Sequence, residues 1–320
     1  MRITKVHLHA TNSCTNNCRH CSVNAGPDGT TLLNDADFRY IVDWSSAIGA
    51  RIIEISGGEP LVLGEELLEV IRYADDSGLA VVLLTNGCLL DKGWAQKLAS
   101  ANTASIGISI YGANPRTHED FTRTPDSFYK TIEGIKNASA AGLEVTANVV
   151  VTPKNIEELQ LLPSILDGQV SMYTFASVVP SGRGAKNDEY ILPEDSYEQV
   201  IEGIMRCFSS EAYCFLNSMF PEPSRELQRY CLRPVSEIVI DHLGHLIPCC
   251  LLPQKLRHQV GDVKRRDLQE TIMENDPAFL LLSRGHKEIR NSIKYDGLSH
   301  NLCKTCIEML DISLQTIQTR

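Results

Sequence analysis

The strongest constraint on the fold is an alternation that runs from residue 4 to about residue 180 of a 320-residue chain. Short runs rich in β-branched residues recur at Lys5–Ala10, Arg51–Ser56, Leu79–Leu84, Ala104–Ile110, Leu143–Val151 and Val170–Val178, with helical segments between them. Asn34 reads as the cap of a helix over Phe38–Ile48, and Gly78 closes Glu65–Ser77. Asp91 opens another helix, Gly142 ends Ser127–Ala141, and Asn155 caps Ile156–Leu166. Six strands joined by crossover helices form a parallel α/β sheet. No nucleotide-type glycine fingerprint follows the first strand, which favours a curved, partly closed barrel over a flat doubly wound sheet. Beyond residue 190 the alternation stops. A helical stretch over Glu194–Phe208, a hairpin-like run over Glu237–Pro248 and a cysteine-bearing tail predict a smaller second domain, dividing the chain into 1–190 and 191–320.

A barrel carries its chemistry on the loops after the strands, and here those loops are unusual. Cysteines follow the first strand and Gly57-Gly58-Glu59-Pro60 the second. Thr85-Asn86-Gly87 follows the third, and Pro180-Ser181-Gly182-Arg183-Gly184 the sixth. The start of the chain, Met1 to His9, has no signal-like apolar stretch, and the longest apolar runs, Leu79 to Leu84 and Val149 to Val151, are strand-sized. A cytoplasmic protein is expected. A net charge of −10 argues against nucleic acid or an anionic membrane as partner and suits a cationic substrate.

Eleven cysteines are too dilute for a disulfide scaffold, and their clustering points to metal. The first group is C-x3-C-x2-C at Cys14, Cys18 and Cys21; the second comprises Cys231, Cys249, Cys250, Cys303 and Cys306. Cys88, Cys207 and Cys214 stand apart and read as buried small hydrophobes. Thiolates are soft ligands for iron–sulfur clusters or zinc. Three ligands on a four-iron cluster leave one iron open to a small molecule; the alternative is a zinc knuckle completed by His20 or a remote residue. The glycines of the next loop allow close backbone approach to a ligand, and Glu59 offers a carboxylate to a cation. Arg183, in a Gly-Arg-Gly loop, could clamp a carboxylate with its guanidinium fork or simply be solvated. In the tail, Cys231, Cys249, Cys303 and Cys306 suffice to enclose a second cluster, with a zinc ribbon as the alternative.

The C-x3-C-x2-C loop followed by Gly57-Gly58-Glu59-Pro60 resembles the signature of the radical S-adenosylmethionine superfamily. The resemblance implies a partial (β/α)6 TIM-like barrel with a small C-terminal auxiliary iron–sulfur domain of SPASM/twitch type. It implies S-adenosylmethionine chelated to the open iron of a [4Fe–4S] cluster on Cys14, Cys18 and Cys21, and a second, auxiliary [4Fe–4S] cluster in the tail. Gly57, Gly58 and Glu59 would hold the cofactor's amino group, and Ser109, Arg123, Asn148 and Arg183 match further cofactor contacts. A low-potential electron from a flavodoxin or ferredoxin would cleave the cofactor to methionine and a 5′-deoxyadenosyl radical, which abstracts hydrogen from a substrate carbon.

Within the superfamily, the chain is similar to radical epimerases of the neomycin-epimerase type, isomerases of antibiotic biosynthesis. Cys249 is expected as the auxiliary ligand and Cys250 as the thiol returning a hydrogen atom, although spacing does not fix which of the two does which. The expected substrate is a cationic sugar such as an aminoglycoside, since a barrel beginning at residue 4 leaves no room for an N-terminal peptide-recognition domain. The alternatives are a dehydrogenase of an aminocyclitol, with Asp241 or His242 as base, and a peptide-epimerising or crosslinking maturase.

Overall fold

The structure, a computed structural model, describes residues 3–166, 168–208, 213–216, 236–247 and 261–268, the segment 213–216 by its backbone. The expected strands form at β1 (Lys5–Thr11), β2 (Ile52–Gly57), β3 (Ala80–Thr85), β4 (Thr103–Ile110), β5 (Val145–Val151) and β6 (Met172–Ser177). Each pairs in parallel with the next in chain order. That strict order decides the architecture. A doubly wound sheet reverses direction at a switch point. Here every crossover steps the same way, and right-handed crossovers then place all the helices on one face and curl the sheet into a partial barrel.

The sheet continues past both ends of this unit. β7 (Tyr213–Leu216) pairs in parallel with β6, and β8 (Glu237–Ile240) pairs in parallel with β1. β8 turns into an antiparallel partner, β9 (His245–Ile247), so the hairpin read from the sequence forms over its described part. β10 (Gly261–Asp262) pairs with β9, giving a sheet of ten strands among the described residues.

Seven helices are described: α1 (Asp35–Ala47), α2 (Glu65–Asp76), α3 (Lys92–Ser100), α4 (Pro115–Thr122), α5 (Ser127–Ala140), α6 (Leu162–Leu166) and α7 (Tyr197–Phe208). Asn34 caps α1 in a reciprocal box with Asp37, and the Asp91 side chain accepts from the Trp94 amide at the start of α3. Gly78 and Gly142 follow α2 and α5 with φ near 80°, left-handed positions that glycine takes without a Cβ penalty. Asn155 stands at the expected N-cap position, ahead of a 3-10 turn over Ile156–Leu161 that leads into α6, but its side chain makes no cap bond. Its Oδ1 accepts from the Thr152 amide at 2.8 Å, and its Nδ2 donates to the carbonyls of Tyr111 and Val150, so it ties loops together instead of capping a helix.

The two faces of the sheet differ in composition. Val6, Leu8, Ile53, Ile55, Val81, Leu83, Ile106 and Ile108 point outward and join Phe38, Ile41, Leu67, Ile71, Leu98 and Ile135 of the helices in one buried core. The alternate positions, His7, His9, Glu54, Ser56, Ser109, Asn148 and Thr174, face the other way, as a period of two requires. Ser109, Asn148 and Thr174 are register partners across β4, β5 and β6. Lower on this inner face the His7 ring lies between two carboxylates, 2.6 Å from Glu54 and 2.9 Å from Glu237. This cluster joins β8 to β1 and β2.

Candidate active site

The loop after β1 carries Cys14, Cys18 and Cys21 as free thiols, Cys18 fully buried and the others half-buried. The loop is pinned from several sides. The Cys14 amide donates to the Gly26 carbonyl at 2.9 Å, and the Asn17 and Arg19 amides donate at 3.0 Å to the Thr122 and Phe121 carbonyls at the end of α4. Two of the three sulfurs have hydrogen-bond donors. Cys14 Sγ accepts from the Asn16 amide at 3.4 Å and Asn86 Nδ2 at 3.6 Å, and Cys21 Sγ from the Ala25 amide at 3.2 Å. Cys18 packs against Tyr111 and Phe121.

The three cysteines border one cavity of about 230 Å³, together with His9, Ser56, Gly57, Gly58, Ser109, Tyr111 and Arg183. Burial pushes the Cys14 thiol up to about 12 and Cys18 higher still. Ionised, as metal ligation requires, the trio needs a compensating cation within the cavity. Among the described residues no group of three His, Cys, Asp or Glu side chains could hold one metal ion. A cluster, in which each cysteine takes its own iron, fits this donor set better than a zinc knuckle. His20, the fourth ligand of the zinc alternative, instead stacks on Phe121 with ring centres 4.9 Å apart. Burial, and then the charge of Arg183, lower its pKa to about 4.

The glycine pair has a clear steric reason. A Cβ on Gly57 would lie 2.5 Å from the Thr11 carbonyl oxygen, and one on Gly58 only 2.0 Å from that of Ser13. Gly57 also sits at φ 118°, a conformation open chiefly to glycine. The close approach is therefore first to the cysteine loop itself, sealed by Gly58 N–H to Thr11 and Glu59 N–H to Ser13, both 2.8 Å. Bare backbone is left at the cavity wall.

Glu59 stands behind this wall. It is fully buried, does not border the cavity, and its oxygens accept from Leu61 N at 3.1 Å, Thr85 Oγ1 at 2.7 Å and Asn86 N at 2.8 Å. It braces the β2 loop against the β3 loop. Burial still raises its pKa, against the pull of those three donors. Arg183 is redirected in a similar way. Its Nε donates to the Cys18 carbonyl at 2.7 Å and its Nη2 to the Ala25 carbonyl at 2.6 Å, so the fork grips the cysteine loop from the cavity's edge. Its own amide adds a bond to the Cys21 carbonyl at 3.0 Å.

Ser109 borders the cavity beside Tyr111. Asn148 sits beside Ser109 in register without bordering the cavity, its Oδ1 accepting from Thr174 at 2.6 Å. Arg123 is exposed at the left-handed end of α4, also off the cavity, because its φ of 56° turns the chain outward there. Asp241, offered as a base, is a turn brace: its Oδ1 accepts from the Leu243 and His245 amides, both at 2.9 Å. Cys207 lies exposed on α7 and Cys88 is half-buried; neither is the fully buried hydrophobe expected. Cys231, Cys249, Cys250, Cys303 and Cys306 lie outside the described residues. The sequence reading missed His9, Ser56 and Tyr111 as cavity residues. The first two follow from strand alternation, and Tyr111 from its place two residues beyond Ser109.

A sequence model of the Radical SAM superfamily matches residues 8–162, from β1 to the start of α6. The AdoMet-dependent heme synthase of Methanosarcina barkeri is 30% identical over 295 residues, 84% of this chain and 81% of that protein. The probable GTP 3′,8-cyclase of Methanopyrus kandleri is 27% identical over 87% of this chain and 91% of its own. The mycofactocin maturase MftC of Mycolicibacterium smegmatis is 29% identical over 55% of this chain and 44% of its own. In fold, the chain is similar to SuiB of Streptococcus suis bound to S-adenosylmethionine, with a TM-score of 0.71 at 15% identity over 87% of this chain and 67% of that one. SuiB has also been solved with a precursor peptide. None of these relatives bears the name of an epimerase, which leaves that expectation without a namesake. The cysteine loop, its glycine brace and these likenesses agree, and the chain belongs to the radical SAM superfamily, whose cofactors are S-adenosylmethionine and a [4Fe–4S] cluster.

Proposed function

We propose that Cys14, Cys18 and Cys21 hold the [4Fe–4S] cluster and that the enzyme takes a hydrogen atom from a carbon of a peptide. The first half rests on one observation: three thiols of a single loop gather at a cavity lined also by the bare backbone of Gly57 and Gly58. The bound cluster and cofactor supply the 5′-deoxyadenosyl radical. The chain's own residues do the rest. The loop carries the three sulfurs, Cys14 and Cys21 with hydrogen-bond donors, and Arg183 holds the loop shut while placing positive charge beside it. Gly57 and Gly58 leave room for a small zwitterion against the main chain, and Ser109 offers a hydroxyl at the same wall. Glu59 acts indirectly, through the β3 loop, and Arg123 and Asn148 are not included among the contacts.

A peptide is preferred as substrate because the inner wall of His9, Ser56 and Ser109, with Asn148 and Thr174 beside it, offers hydrogen-bonding groups suited to amides. A maturase among the relatives and the fold shared with SuiB support the same choice. Residues 191–320 are proposed as an auxiliary domain, with Cys231, Cys249, Cys303 and Cys306 around a second cluster and Cys250 as the thiol that returns a hydrogen atom to the inverted carbon. An epimerising maturase combines these features. A second reading, action on a tetrapyrrole, is favoured by the heme synthase that aligns with 84% of the chain.

One experiment separates them. Reduced, oxygen-free enzyme in deuterium oxide is offered candidate precursor peptides and, separately, porphyrin substrates, with 5′-deoxyadenosine measured in each. One deuterium gained at a peptide carbon supports the epimerising maturase, and a mass change confined to the porphyrin supports the second reading. Absence of 5′-deoxyadenosine under every condition contradicts both.

A further inference from the structure

Asn86 occupies an unusual position. It stands in the loop after β3, yet its side chain reaches the cysteine loop, with Nδ2 3.6 Å from Cys14 Sγ and 2.9 Å from Thr15 Oγ1. The orientation of its amide is fixed by its neighbours. The side-chain oxygen accepts from the Cys88 amide at 2.8 Å, so the nitrogen is the end that faces sulfur. The main chain is held as firmly: Asn86 N–H donates to Glu59 Oε2 at 2.8 Å, and its carbonyl accepts from Thr131 Oγ1 at 2.8 Å. Asn86 itself is 8% exposed.

The other two cysteines are served differently. Cys21 takes its donor from the Ala25 amide within the loop, and Cys18 is buried against Tyr111 and Phe121. Cys14 already has the Asn16 amide of its own loop. The Asn86 bond is an addition brought from another strand, and Oε2 of the buried Glu59 carboxylate holds its main chain in place.

We propose that Asn86 is a positioning residue of the [4Fe–4S] cluster, donating an N–H···S hydrogen bond to Cys14 that raises the cluster's reduction potential, and that Glu59 acts through it. This rests on the cluster assignment above. The physical cause is charge. Taking up one electron makes the cluster and its thiolates more negative, and a donor aimed at a thiolate sulfur stabilises that form more than the oxidised one. The GGEP glutamate, removed from the cavity wall, thereby gains a role: it fixes the main chain from which the donor projects.

The test is an EPR-monitored redox titration of anaerobically reconstituted protein, with dithionite as reductant and iron content measured in parallel. Asn86→Ala is expected to retain its iron and titrate at a more negative midpoint, while Asn86→Gln, which keeps an amide, recovers part of the shift. Glu59→Gln is expected to shift the midpoint in the same direction by less. A fully loaded Asn86→Ala with the wild-type midpoint overturns the proposal and leaves the cluster assignment standing. Wild-type protein that takes up no cluster overturns both. Should Asn86→Ala lose its iron, Glu59→Gln decides: a lowered midpoint with iron retained upholds the proposal, and an unchanged midpoint rejects it.

Discussion

The outer and inner faces of the parallel sheet are made from the same strands and follow opposite rules. Outward positions are aliphatic and closed by helices, with Leu8, Ile53, Ile55, Val81 and Leu83 wholly buried. Inward positions carry His7, His9, Glu54, Ser56, Ser109, Asn148 and Thr174, which no tightly packed barrel interior would choose. The difference shows how one sheet serves two purposes. The outer face supplies the burial that fixes the fold, and this leaves the inner face and its rim free to be polar and to receive ligands.

The largest effect should come from the rim. Cys18→Ala is expected to abolish four-iron incorporation and 5′-deoxyadenosine formation while leaving thermal unfolding near that of the metal-free wild type. Iron analysis and calorimetry on the same sample would check this, and full iron retention would break the contrast between rim and scaffold. Gly58→Ala should come next, because its Cβ would press 2.0 Å from the Ser13 carbonyl and force the cysteine loop away. Much reduced iron loading is expected with far-UV circular dichroism unchanged.

Leu83→Ala on the outer face tests the opposite expectation. Stability should fall by about 2–5 kcal/mol in denaturant unfolding, as for other buried leucines, with iron per folded molecule unchanged. Loss of cluster without loss of stability would show that the two faces do not divide the work in this way. Asp120→Asn should give the smallest effect. The Tyr190 hydroxyl first, and then Arg19, hold the Asp120 carboxyl below the ordinary carboxylate range. A depressed carboxylate stabilises the fold above its unfolded pKa, about 3.9, and that contribution disappears as pH falls through the lower folded value. Its side chain is 44% exposed, so solvent screens the interaction. The variant's melting temperature should therefore fall slightly less than wild type's on acidification below about pH 4.

The outer face was the legible one. β-Branched runs bounded by turn residues mark β1 to β6 because each strand buries one face against helices, and local sequence records that burial. Helix α4 escaped notice although Asn114 and Pro115 are good start signals, since Pro115–Thr122 buries Phe121 and Thr122 beside His118 and has no apolar stripe. The cysteines and glycines of the site were legible because their spacing is local. The bonds of Glu59 and Arg183 were not, because each ends on a residue whose position only the folded barrel determines: Asn86 in one case, Cys18 and Ala25 in the other. The parallel pairing of β8 with β1 joins residues more than two hundred positions apart and leaves no mark in either segment alone.

The central claim is that three cysteines leave one iron of the cluster open to the cofactor. Electron paramagnetic resonance of the reduced, oxygen-free protein tests it directly, recorded with and without S-adenosylmethionine. A four-iron signal whose g-values move when the cofactor is added is the expected result. A signal that stays put, or protein that holds no cluster at all, would contradict it.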